Sequence, residues 1–120
     1  MSHKIQKKVA TVVCSPESCP VTFATGLIGG RWKPIIIYLI SQGICRFGEM
    51  QRSMPLISKT MLTQELRDLE KNGIIHREVF AEIPPRVEYS LTEWGNNALP
   101  ILQSMATWGN HYRLASQEKG

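Results

Sequence analysis

Residues 58–95 constrain this chain more than any other stretch. SKTMLTQELRDLEKNG opens on a helix-capping residue and closes on a glycine, and IIHREVFAEIPPRVEYSLTEWG follows at once. The Ser58 hydroxyl can accept a free N–H of a first helical turn, so a helix is expected from Lys59 to Asn72. Gly73 suits the left-handed position just past its end. Ile74 to Glu82 and Arg86 to Leu91 read as strands. Val79 and Val87 are β-branched, and Pro84-Pro85 cannot continue a ladder, so it marks the tip. Thr92 then caps a last helix reaching about Leu114. A helix, a hairpin and a second helix must therefore pack together within some 40 residues.

The upstream segment supplies what this unit can pack on. Pro20 suits the first position of a helix through about Ile28, where its missing N–H goes unneeded. Gly29-Gly30 ends that helix. A second follows from about Arg31 to Ser41 with Pro34 in its first turn, and a short third spans Phe47 to Arg52 before Met54-Pro55. Residues 1–17 are polar, carry Lys4, Lys7 and Lys8, and read as a mobile arm. One domain is expected over residues 18–114, with a tail at 115–120. The class is α+β, mostly α. A length of 120 residues and a hydrophobic fraction of 42% are ordinary for one small domain. The longest apolar run, Ile35 to Ile40, is far short of the roughly 20 residues a membrane span needs. Met1 to Gln6 lacks the apolar core of a signal peptide, so a cytoplasmic location is expected.

At about 100° per residue, Met61, Leu62, Leu66 and Leu69 share one face of the helix after Ser58. Thr60, Thr63, Gln64, Arg67 and Lys71 share the other. That second face holds the side chains that read bases: Gln pairs with adenine, Arg with guanine, and the Thr methyl touches a thymine methyl. Ser58, Lys59 and Thr60 stand at the N-terminus, where unpaired N–H groups and the helix dipole attract phosphate. The plain alternative is a surface helix, since Glu65, Asp68 and Glu70 cancel Lys59, Arg67 and Lys71. The hairpin tilts the balance, because Arg77 lies on its first strand and Arg86 just after its tip, where they can meet phosphate or the minor groove. Their alternative is pairing with Glu78, Glu82 or Glu88. A helix followed by a small hairpin is the winged helix-turn-helix arrangement, with a recognition helix at about 58–72 and a wing at about 74–91. A net charge of +4 is compatible with nucleic-acid binding without proving it.

The chain also resembles the HxlR-type bacterial winged-helix regulators, relatives of the MarR group. The matching pieces are Cys19-Pro20, GGRWKPIII at 29–37, RFGEM at 46–50, ISKTMLTQELRDLEKNGII at 57–75, PPRVEYSLTEWG at 84–95 and Trp108-Gly109. They stand in the family's order and spacing over about residues 19–112. The resemblance implies a dimeric transcription factor on an inverted-repeat DNA operator, with the helix after Ser58 in the major groove and the hairpin beside it. Glu65 departs from the pattern, which has a basic residue there.

With Pro20 as first helical residue, Cys19 becomes the N-cap. The positive end of the helix dipole favours a thiolate there and makes it more reactive. Some HxlR-type regulators sense oxidants, quinones or aldehydes through such a thiol, which implies an oxidant or small-molecule effector acting on Cys19 through a disulfide or an adduct. The alternative is a small buried residue of an interface helix. Cys14 reads as a tail cysteine or a resolving thiol, and Cys45 as core. Three cysteines are too few for a disulfide framework. Cys14 and Cys19 with His3 form a poor ligand set, so neither a metal nor a cofactor is expected.

In the last helix, about 92–114, Trp94, Ala98, Ile101, Met105, Trp108 and Tyr112 recur at steps of four and three, a heptad-like seam. It is expected to hold two copies together, or to pack on the N-terminal helix, or both. Pro100 should kink it near Asn96 and Asn97. Two alternatives to a DNA-binding homodimer are an interaction module in which Trp32, Trp94 and Trp108 line a partner groove, and an enzyme. The second is poorly served, because His3, His76 and His111 are scattered with no nucleophile or paired carboxylate nearby.

Overall fold

The computed structural model describes residues 15–119, so most of the expected arm, Cys14 included, lies outside the described residues. Ser15 to Ser18 form a turn, with the Ser18 and Cys19 N–H groups bonding to the Ser15 carbonyl. Five helices and one hairpin follow: α1 (Pro20–Ile28), α2 (Lys33–Ser41), α3 (Phe47–Ser53), α4 (Lys59–Lys71), β1 (Ile75–Phe80), β2 (Arg86–Leu91) and α5 (Glu93–Lys119). Helix α2 starts two residues later than the sequence suggests. The segment expected as a tail is helical through Lys119.

Two helices end by the same device. Beyond α2, Gly43 N–H bonds to the Ile40 carbonyl and Ile44 N–H to that of Leu39; beyond α4, Gly73 pairs with Glu70 and Ile74 with Leu69. Both glycines take positive φ, +91° and +74°, which a side chain would disfavour. Each motif drops its next isoleucine toward the core. Ile74 is thereby spent on the cap, and β1 begins one residue later than expected.

The core is formed by Ile36, Ile37 and Ile40 of α2, Met50 of α3, Met54 and Ile57 of the turn, Leu62, Leu66 and Leu69 of α4, and Ile74 and Ile75. Met61 does not join it: at 41% exposed it stands off the apolar stripe, because Leu62, Leu66 and Leu69 already fill the i, i+4, i+7 positions. The Lys33 ammonium donates to Glu65 Oε1 at 2.6 Å and lies 3.6 Å from Asp68, both contacts joining α2 to α4. The family departure at position 65 is thus an internal tie between α2 and α4.

The hairpin is antiparallel with Arg77 opposite Tyr89 and Val79 opposite Val87. Tyr89 N–H bonds to the Cys45 carbonyl, anchoring β2 before α3. Thr92 caps α5 by accepting from Gly95 N–H, and its hydroxyl reaches the Gly73 and Ile74 carbonyls. This joins the start of α5 to the end of α4. A Cβ at Gly95 would run into the Ile74 carbonyl, so only glycine permits the approach.

Helix α5 runs on through Pro100 without a break. Its intramolecular packing is on α2 and β2 rather than chiefly on α1. Leu99 and Leu102 pack against the core there. Ala98 is 5% exposed, buried within the single chain. The other five seam residues stay open: Trp94, Ile101, Met105, Trp108 and Tyr112 are all exposed. Helix α1 buries no residue. The radius of gyration, 18.4 Å, exceeds the roughly 13 Å of a compact globule of this length because these helices stand clear of the head.

Candidate nucleic-acid interface

Helix α4 presents its polar face because its apolar face is fully used. Leu62, Leu66 and Leu69 are buried, which leaves Thr60, Gln64, Arg67 and Lys71 exposed and Thr63 half-buried. Ser58 caps the helix, its Oγ accepting Met61 N–H at 3.0 Å. The hydroxyl proton is still available to a phosphate oxygen.

Two concavities border this face. One, of about 250 Å³, is lined by Lys59, Thr60, Thr63, Gln64 and Arg67. The other, of about 360 Å³, lies between α4 and the wing and is lined by Phe47, Thr63, Arg67, Glu70, Arg77 and Tyr89. Thr63 and Arg67 line both, so the two form one trough running from the first turn of α4 to β1. The structure brings Arg77 to the recognition helix in this way. Ser58 and Lys71 lie outside the two linings. Phe47 and Tyr89 are site residues the sequence reading missed. Tyr89 was legible only through the strand register, which puts it opposite Arg77.

Arg86 has different surroundings. Its Nη1 donates to Glu88 at 2.7 Å, and its Nη2 and Nε donate to Glu82 at 2.8 and 3.2 Å. Its guanidinium stacks 3.7 Å from the Phe80 ring centre. Glu88 also accepts from Arg46 at 3.2 Å. Of the two alternatives open for Arg86 in the sequence, carboxylate pairing is the one seen here. Hydrogen bonds from Arg86 hold both carboxyls below their ordinary range and push the guanidinium still higher. Among the described residues, no ion pair engages Arg67, Arg77 or Glu70.

Cys19 stands at the N-cap of α1, with φ −79° and ψ 119°, and is half-buried. Cys45 is also half-buried, and burial, with Glu88 and Glu49 nearby, pushes its thiol up. That makes it a poor nucleophile. Among the described residues, no group of three or more His, Cys, Asp or Glu is placed to hold a metal, and no helix is long and apolar enough to cross a membrane.

Comparison with known proteins matches this arrangement. The family model for HxlR-like helix-turn-helix proteins matches residues 27–117. The chain is 50% identical to the helix-turn-helix transcriptional regulator YybR of Bacillus subtilis (strain 168), over 81% of this chain and 78% of that one. Among solved structures, it is similar to the redox regulator HypR in its reduced form, with a TM-score of 0.78 and 46% identity over 83% of this chain and 99% of the other. The oxidised form of HypR gives 0.73 and 49%, over 78% and 96%.

Proposed function

The chain belongs to the HxlR-like helix-turn-helix family of transcriptional regulators, and we propose on that basis that it acts as a homodimer on an inverted-repeat operator. The observation that carries the reading is the polar face of α4, opened to solvent beside a cationic trough by a helix whose other face is locked in the core. Thr60, Thr63 and Gln64 enter the major groove. Ser58, Lys59, Arg67 and Lys71 meet phosphates along the helix, and the wing flanks it through Arg77.

Dimerisation supplies the second reading helix, about one DNA turn or roughly 34 Å away. Val21 and Phe23 of α1 and Trp94, Ile101, Met105, Trp108 and Tyr112 of α5 are all more than half exposed, an apolar load that a second copy can cover.

Cys19 is the trigger. It sits at the base of α1, beside the surface assigned to the dimer, and the redox regulator HypR is a relative at 46% identity. A peroxide converts its thiolate to a sulfenic acid, and a second thiolate displaces hydroxide to form a disulfide. Cross-linking at this point shifts α1 against α5 and changes the spacing of the reading heads.

Fluorescence anisotropy on DNA from beside the protein's own gene, with and without peroxide, tests this. Tight, salt-sensitive binding that peroxide alters in wild type but not in Cys19→Ser is expected. A Cys19→Ser variant that still responds removes the trigger from Cys19. An absence of binding at low salt counts against the regulator reading itself.

A further inference from the structure

We propose that Arg67 and Arg77 form a single clamp for one DNA backbone phosphate, seated in the cleft between α4 and β1, while Arg86 positions the wing without contacting DNA. The proposal rests on the DNA-binding reading and sharpens it. From sequence alone Arg86, beside the wing tip, is the more natural contact. The structure reverses that order.

The cleft of about 360 Å³ has α4 on one side, through Thr63 and Arg67, and the hairpin on the other, through Arg77 and its cross-strand partner Tyr89. Phe47 lines it from the start of α3. Two arginines and two hydroxyl-bearing residues thus line one concavity, a residue set suited to a tetrahedral anion. Neither arginine is in an ion pair among the described residues, so two like charges share the cleft with only Glu70 beside them. An anion between them removes their mutual repulsion. The cleft continues through Thr63 and Arg67 into the concavity lined by Lys59, Thr60 and Gln64. That continuity favours a phosphate within a strand over an isolated small anion.

Arg86 lacks this freedom. All three of its guanidinium nitrogens donate to Glu82 or Glu88, and its plane lies over Phe80. Glu88 hands the chain of charges on to Arg46, the N-cap of α3. The network balances two acids with two cations and ties the wing tip to the head. Freeing Arg86 for a phosphate would break three hydrogen bonds and leave two carboxylates facing the DNA.

Phosphate contacts are independent of sequence, so a short duplex of arbitrary sequence serves as the probe. Anisotropy titrations across several salt concentrations give the slope of log affinity against log salt for the wild-type chain and its variants. Arg67→Gln and Arg77→Gln should each flatten the slope by about 0.9, the share of one phosphate. The double variant should flatten it by no more, because both residues hold the same phosphate. Arg77→Lys keeps the charge and should restore the slope. Arg86→Gln should leave the slope unchanged while lowering the melting temperature.

Unchanged slopes in Arg67→Gln and Arg77→Gln overturn the clamp while leaving DNA binding intact. So does a double variant losing twice as much, or an Arg86→Gln slope as flat as that of Arg77→Gln. Competition by inorganic phosphate beyond that of chloride at equal ionic strength reassigns the cleft to a free anion and overturns it too. A wild-type chain that binds no duplex at low salt fails the DNA reading and the clamp together. Circular dichroism melts of each variant separate a lost contact from a lost fold.

Discussion

Leu66 and Trp108 lie on helices of one chain, yet the first is 2% exposed and the second 72%. Around Leu66 the head is closed. Three helices, the turn and β1 send side chains into one core, and the charge on Lys33 is met by Glu65 and Asp68. Around Trp108 nothing is closed. The last turns of α5 carry Trp108 stacked on Tyr112 at 5.9 Å, with no head residue over them, and α1 leaves Val21 and Phe23 bare. One region folds by satisfying itself; the other holds its apolar surface in reserve. On the proposed dimer reading both have a use, a rigid head for register and an adhesive helix for separation.

The sharpest way to break this comparison is Leu66→Ala. A cavity beneath the reading helix should cost about 2–5 kcal/mol, seen as a lower midpoint in urea denaturation. A small loss would mean that the head is looser than its packing indicates. Trp108→Ala should do the reverse. The head's own unfolding should hardly move, while self-association, followed by sedimentation at decreasing concentration, should weaken by about 2 kcal/mol or more if Trp108 anchors the interface. Equal destabilisation of the isolated chain would place Trp108 in the head's economy after all.

Glu65→Ala tests the tie between α2 and α4. Stranding Lys33 should cost about 1.5–3 kcal/mol, the scale of a charged hydrogen bond, with Asp68 cushioning the loss. The smallest effect belongs to the wing. Arg86 holds the Glu82 and Glu88 carboxyls below their ordinary value of 4.5. Carboxyls depressed in the fold stabilise it above that ordinary value, and the contribution is lost as pH falls through their lowered folded values. Thermal melts of Glu88→Gln and wild type should therefore differ at neutral pH and converge in strong acid. A gap that persists there would assign Glu88 a role independent of its charge.

Much of the head was legible because local rules act over a few residues. The Ser58 cap, the stop at Gly73, and the leucine stripe of α4 each follow from spacing alone. The stripe failed only at Met61, one position off the i, i+4, i+7 line, where about 100° of rotation carries a side chain out of the core. The burial of Ala98 was not legible for a related reason. A heptad pattern says that residues share a face, but not which of two neighbouring faces meets the head and which stays open. Arg77 and Arg86 could not be ranked at all, since both are wing arginines with acidic neighbours. Their ranking depends on hairpin register and on the approach of β1 to α4, distances that chain order does not encode.

The sequence by itself determined the order of elements, the caps and stops, the polar face of α4 and the family. Each of these rests on interactions between residues close in the chain, or on motifs read in series. Tertiary structure alone decided that Glu65 serves Lys33, that Ala98 is buried, that Tyr89 stands opposite Arg77, and that Arg86 is bound while Arg67 and Arg77 share one cleft. Charges and faces acquire their roles only when distant segments meet, because an arginine's partner is set by what lies within hydrogen-bond reach rather than by what precedes it in the chain.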